Sequence, residues 1–144
     1  MNTQDAVSLT GKLSISLNGA VVKEVTNLVV TAGKGWIASR MNAASAGVMT
    51  HMAVGTGSTA AAVANTTLGT ELTRQALTTS GGTVAGAVIT FATTYAAGAG
   101  TGAITEAGVF NAAASGTMLA RTVFSVVNKG ALDTMTISWA VTIS

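Results

Sequence analysis

The residues able to do chemistry in this chain are few and widely separated. His51 is the only histidine, and it sits inside an alternating stretch beside Thr50 and Met52. Acid–base catalysis or metal binding asks for partners, either a carboxylate to orient an imidazole or several His, Cys, Asp and Glu at ligand spacing. No such set accompanies His51, which reads as a packed, hydrogen-bonded strand residue. Gly55-Thr56-Gly57-Ser58 has the small residues of a phosphate cradle. A P-loop, however, ends in lysine and a hydroxyl residue and opens a helix. Here an Ala/Thr-rich stretch without lysine follows, so the segment reads as a strand terminator. Glu106 lies in the apolar run AITEAGVF, and Arg74 and Arg121 lie in other strand-like runs. A buried Glu106–Arg pair, with Arg74 the favoured partner, would set strand register at little net gain in stability. The alternative has each charge facing water. Trp36 and Trp139 fall in patterned segments and read as core, because a nucleic-acid stacking platform needs several exposed rings among basic neighbours. No catalytic residue, cofactor or metal ligand is assigned, and an enzyme is not expected. Arg74, Glu106, Trp36, Trp139 and His51 stand as candidates for structure and register.

The elements that must position these residues are mostly strands. From Thr134 to Ser144 apolar Met135, Ile137, Trp139, Val141 and Ile143 alternate with small polar residues, a period of two that buries one face of a strand. Residues 12–25 read as a hairpin about Asn18-Gly19, the dipeptide that suits a type I′ turn. With no irregularity, Ile15 meets Val22 and Ser14 meets Lys23, which leaves Glu24 opposite Leu13. Residues 27–30 form a short apolar run. Between Thr31 and Met41 the period changes. Trp36, Ile37, Arg40 and Met41 share one face of a short helix, which Thr31 could cap and Gly33 and Gly35 weaken. Its Trp face is expected to pack over a sheet, and residues 42–47 to end it. Further strands are expected at 48–54, 71–79, 83–95, 103–110 and 117–127, the last with Met118, Ala120, Thr122, Phe124 and Val126 on one face. The total is about eight strands and one short helix, with turns at sandwich or barrel spacing. The expected fold is mainly β, an antiparallel jelly-roll-like sandwich or a barrel. It forms one domain over residues 1–144, with 1–11 as a polar N-terminal arm.

Composition narrows the class. The 144 residues contain no cysteine, which excludes disulfides and thiolate metal sites and suits a reducing cytosol. The N-terminal residues lack a secretory pattern, and no apolar run approaches the roughly 20 residues that span a bilayer. Only 8% of residues are charged, against about 25% in typical domains. That depletion suits a surface covered by neighbours in an assembly. The net charge of +2 is too small and scattered to suggest nucleic-acid binding.

Four segments in order carry a family resemblance: THMAVGTGS (50–58), TLGTELTR (67–74), ITEAGVFNAAASGTMLARTVF (104–124) and NKGALDTMTISWAVTI (128–143). Together they resemble small structural proteins of tailed bacteriophages. They are also similar to the particle-attaching N-terminal domain of certain phage tail fibres. The resemblance covers roughly residues 27–144 and implies a virion component made in the host bacterial cytoplasm. Fibre proteins continue into heptads or a repetitive shaft, and these residues contain neither. The preferred expectation is therefore a capsid decoration (cement) protein that self-associates as a dimer or trimer and binds the major capsid protein, with no nucleic acid and no membrane. A tail, fibre or baseplate adaptor, bound to a tail or baseplate protein, is the alternative. A carbohydrate-binding β-sandwich is a further one.

Overall fold

A computed structural model describes residues 6–42 and 46–144 of the chain. Its strands are β1 (Leu9–Leu17), β2 (Ala20–Thr26), β3 (Leu28–Val29), β4 (His51–Gly55), β5 (Glu71–Ala76), β6 (Thr83–Ala85), β7 (Val88–Tyr95), β8 (Gly102–Phe110), β9 (Met118–Lys129) and β10 (Met135–Ile143), with one helix, α1 (Thr31–Met41). They form two antiparallel five-stranded sheets, ordered β2-β1-β10-β7-β6 and β3-β9-β8-β4-β5. The protein is mainly β, and the two sheets pack as a sandwich rather than closing into a barrel.

The alternation at the C-terminal end places β10 at the centre of the first sheet. Met135, Ile137, Trp139 and Val141 are buried, while Thr136 and Ser138 face out. The main core joins these residues and Leu13, Ile15, Phe91 and Tyr95 to Met52, Val54, Ala107 and Val109 of the second sheet. Three polar contacts tie the layers at fixed points. Tyr95 Oη donates to the Met52 carbonyl at 2.6 Å, Thr93 Oγ1 to the Ala76 carbonyl at 2.7 Å, and Trp139 Nε1 to Asn27 Oδ1 at 2.9 Å. Burial pushes the Tyr95 phenol far above its ordinary pKa, so it is a permanent donor. Tyr95→Phe is expected to cost about 1 kcal/mol, read as a lower urea midpoint with unchanged m.

The second sheet is buried on both sides. Along β4, Met52 and Val54 enter the main core, and Ala53, which points the other way, joins a smaller cluster with Val30, Leu68, Phe110 and Met118. Leu68 comes from the 56–70 segment, which carries no strand and lies over the outer face as a third layer. The same segment supplies the Val63 carbonyl that accepts from the Thr31 N–H at the start of α1.

Several expectations are corrected. Ten strands form, not about eight. The run 83–95 folds back at Gly86-Ala87 into β6 and β7, and Leu28–Val29 pairs with Ala120 and Arg121 of β9. The Asn18-Gly19 turn is present, with φ of 50° and 86°. A bulge between Ile15 and Ser16 skips Val22, however, so Ile15 faces Lys23, Ser14 faces Glu24 and Leu13 faces Val25. The bulge thereby removes the conflict between Glu24 and Leu13. Irregularity between Ile104 and Glu106 also breaks the expected face of β9: Phe124 is buried but Val126 is exposed. The expected strands at 48–54 and 71–79 are shorter, as β4 and β5. In α1, Val30 and not Thr31 is the cap residue, and no side chain caps it. Trp36 and Ile37 do pack on the core, yet Met41 is 86% exposed, and the one fully buried helix residue is Gly33. Residues 43–45, within the stretch expected to end the helix, lie outside the described residues, as do 1–5 of the expected arm. The arm is otherwise corrected: Leu9–Gly11 belong to β1 opposite Val141–Ile143, and Ser8 and Ser144 exchange backbone hydrogen bonds of 2.6 and 2.9 Å.

Candidate functional site

The pairing of β8 with β9 sets Gly108 opposite Arg121 and Glu106 opposite Val123, so Glu106 and Arg121 are diagonal neighbours on the outer face of the second sheet. Their side chains are 0% and 2% exposed. Arg121 Nε and Nη2 both donate to Glu106 Oε2, at 3.1 and 2.8 Å. This corrects the expected partner: Glu106 pairs with Arg121, not Arg74. Arg74 instead holds Glu71 at 2.6 Å, lies 3.7 Å from the centre of the Phe110 ring, and donates to the carbonyls of Ala112 and Ser115, which fastens the 111–117 turn.

The pair is the anchor of the third layer. Glu106 Oε1 accepts the N–H groups of Gly57 (2.9 Å) and Thr70 (2.7 Å), and Oε2 accepts that of Gly69 (2.8 Å). Arg121 donates to the carbonyls of Thr59 (3.0 Å) and Ala60 (3.4 Å) and to Asn65 Oδ1 (2.9 Å). Both ends of the 56–70 segment thus converge on one carboxylate, while its middle is held by the guanidinium. A Cβ on Gly57 would lie 2.4 Å from Glu106 Oε1, so only glycine allows the backbone this near. The small-residue run 55–58 ends β4, as a strand terminator should, and gives one N–H, that of Gly57, to the chain's own Glu106.

Electrostatics agree with the geometry. Burial is the largest single influence on Glu106 and opposes its ionisation. The bonds from Thr70, Gly69, Arg121 and Gly57 together outweigh it and hold the pKa below the ordinary 4.5. With every oxygen engaged, Glu106 serves as a structural anion and has no lone pair directed at a substrate. Asp133, at the β9–β10 turn, is likewise lowered, by the Asn18 amide and the Gly130 N–H.

The remaining sequence candidates are dispersed. His51 is half-buried in β4, and its Nδ1 lies 2.8 Å from Thr50 Oγ1. Trp139 is fully buried. Trp36 donates from Nε1 to the Gly47 carbonyl at 2.7 Å and lines a groove beside α1. Only Glu106 and Arg121 are brought together, and the loop residues Gly57, Asn65 and Gly69 that complete their centre went unassigned. The glycines were the available signal. No group of three or more His, Cys, Asp and Glu forms among the described residues. No protein-family model, curated protein or solved structure matches the chain.

Proposed function

We propose that this protein is a structural component of a tailed-phage virion, a capsid decoration protein that binds the outer shell as a homo-oligomer and stabilises it. The observation that carries this reading is where the charge goes. In a chain with only 8% charged residues, Glu106, Arg121 and Lys129 are buried, and the Glu106–Arg121 centre serves to fix a surface layer. The solvent-facing side of the first sheet carries Thr10, Ser14, Thr136, Ser138 and Thr94 around one exposed ion pair, Lys12–Glu24. A rigid, weakly charged surface suits an interface, where charged residues are depleted. The resemblance of the four ordered segments to small phage structural proteins supports the same reading. The mechanism is linkage: each copy binds the assembled shell and not its free subunits, so it stabilises the shell by mass action.

Quantitative mass spectrometry of purified particles of the encoding phage tests the reading. One copy per major capsid subunit, or a simple fraction of that, is the expected result. A handful of copies per particle would instead make the protein a tail or baseplate adaptor, and absence from particles would overturn the virion reading.

A further inference from the structure

Two apolar grooves flank α1. Trp36, Ile37, Leu119, Val84 and Ile89 line the first, about 330 Å³ in volume, and Val7, Leu28 and Met41 line the second. Leu9, Ile37 and Ile143 belong to both, so the grooves adjoin. Val7, Met41, Val84 and Ile143 are 76%, 86%, 72% and 45% exposed. Soluble chains rarely leave large apolar side chains grouped in this way without a partner.

Among the described residues the rim carries charge of one sign. Arg40 borders the first groove and Lys34 the second, and neither forms an ion pair among the described residues. Among the described residues, Arg40 donates to the neutral Ala46 carbonyl. The described carboxylates are engaged elsewhere: Glu24 by Lys12, Glu71 by Arg74, Glu106 by Arg121, and Asp133 by Asn18 and Gly130. A two-fold dimer through this face would bring Lys34 and Arg40 of both copies, all positive, into one interface, which disfavours a second copy as the occupant. The first groove also runs along β6, the outermost strand of its sheet, whose three residues are exposed and whose outer edge has no strand partner among the described residues.

We propose that this surface docks a partner protein through an extended segment, added as a strand beside β6, whose groove-facing positions carry both apolar side chains and carboxylates. Backbone pairing gives the alignment, and on the groove-facing side of the added strand the apolar side chains fill the groove while the carboxylates meet Arg40 and Lys34 at its rim. The proposal holds wherever the protein works and does not rest on the virion reading.

The probe is a fluorescein-labelled ten-residue peptide in which valine and glutamate take turns at every second position with threonine between them, compared with its counterpart carrying lysine for glutamate, by anisotropy on the full chain. The glutamate peptide is expected to bind about tenfold more tightly, weaken with added salt, and shift the emission of Trp36. The Trp36→Phe variant keeps the binding and loses the shift. Lys34→Glu/Arg40→Glu reverses the preference, and Met41→Ser/Val84→Ser weakens both peptides. These are exposed positions, and circular dichroism and melting confirm that the variants fold. Equal binding of the two peptides, binding of neither, or indifference to the charge reversal overturns the proposal. So does a concentration-dependent dimer that Met41→Ser/Val84→Ser abolishes, which would make the occupant a second copy.

Discussion

Replacing Glu106 by glutamine is expected to lower stability by about 3–5 kcal/mol, because it leaves Arg121 charged and unpaired beneath the 56–70 layer. The amide also presents donors to Gly57, Gly69 and Thr70, whose N–H groups need an acceptor. For a chain of this size the melting temperature falls by about 10 °C or more. Arg121→Met alone has a cost of similar kind. The double variant Glu106→Gln/Arg121→Met should cost less than the sum of the two, and the cycle measures the coupling. Hydrogen exchange at Gly57, Gly69 and Thr70 accelerates in the single variants before global unfolding. The pH dependence has a definite sign. A carboxylate whose folded pKa lies below its unfolded value contributes stability that is present above the unfolded value, near 4.5, and is lost as pH falls through the lower, folded one. The native chain should therefore lose stability below about pH 4.5 more steeply than Glu106→Gln.

Gly33→Val is expected to destabilise by about 3 kcal/mol, at the upper end of overpacking costs, and Gly33→Ala by less. Helix propensity alone argues the opposite for alanine, a gain of about 1 kcal/mol over glycine. The reason is contact: a Cβ on Gly33 would stand 2.0 Å from the Leu119 carbonyl oxygen, which belongs to the backbone of β9 and cannot swing aside. The helix would have to lift, exposing Ile37 and Trp36. Gly35, two residues further along the helix and facing open space, is the control, and Gly35→Ala should be neutral or stabilising. Thermal melts of the three variants decide between contact and propensity.

Gly33 also marks where the sequence stops being legible. Its glycine reads as a weak point of the helix, because nothing local announces that a strand 86 residues later presses on it. Where one face is buried and the other wet, as in β10, alternation is plain and the assignment of Met135, Ile137, Trp139 and Val141 to the core follows. The span of α1 and the Asn18-Gly19 turn are also readable from local residues, although the helix start is held by the distant Val63 carbonyl and not by a Thr31 cap. The second sheet is different. Covered on both faces, β4 and β8 lose their alternation, so Glu106 is visible as an anomaly while its partner is not. Choosing Arg121 over Arg74 needs the β8–β9 register, and that register contains two irregularities. Bulges of this kind, like the one that skips Val22, are decided by packing across the sheet and leave little mark on the chain itself.

The pairing of β1 with β10 has a kinetic meaning. Leu9 meets Ile143 and Leu17 meets Met135, so the central ladder of the first sheet joins segments more than a hundred residues apart. Every residue of β3, β4, β5, β8 and β9 lies between them. The second sheet and its covering layer can assemble from the interior of the chain alone, whereas the first must wait for its two outer segments to find each other. Closing so long a loop before any contact rewards it makes such topologies slow to fold, on a scale of milliseconds to seconds. On a ribosome, the β1–β2 hairpin emerges first and stays half-built, its β1 edge open, until β10 arrives to close it.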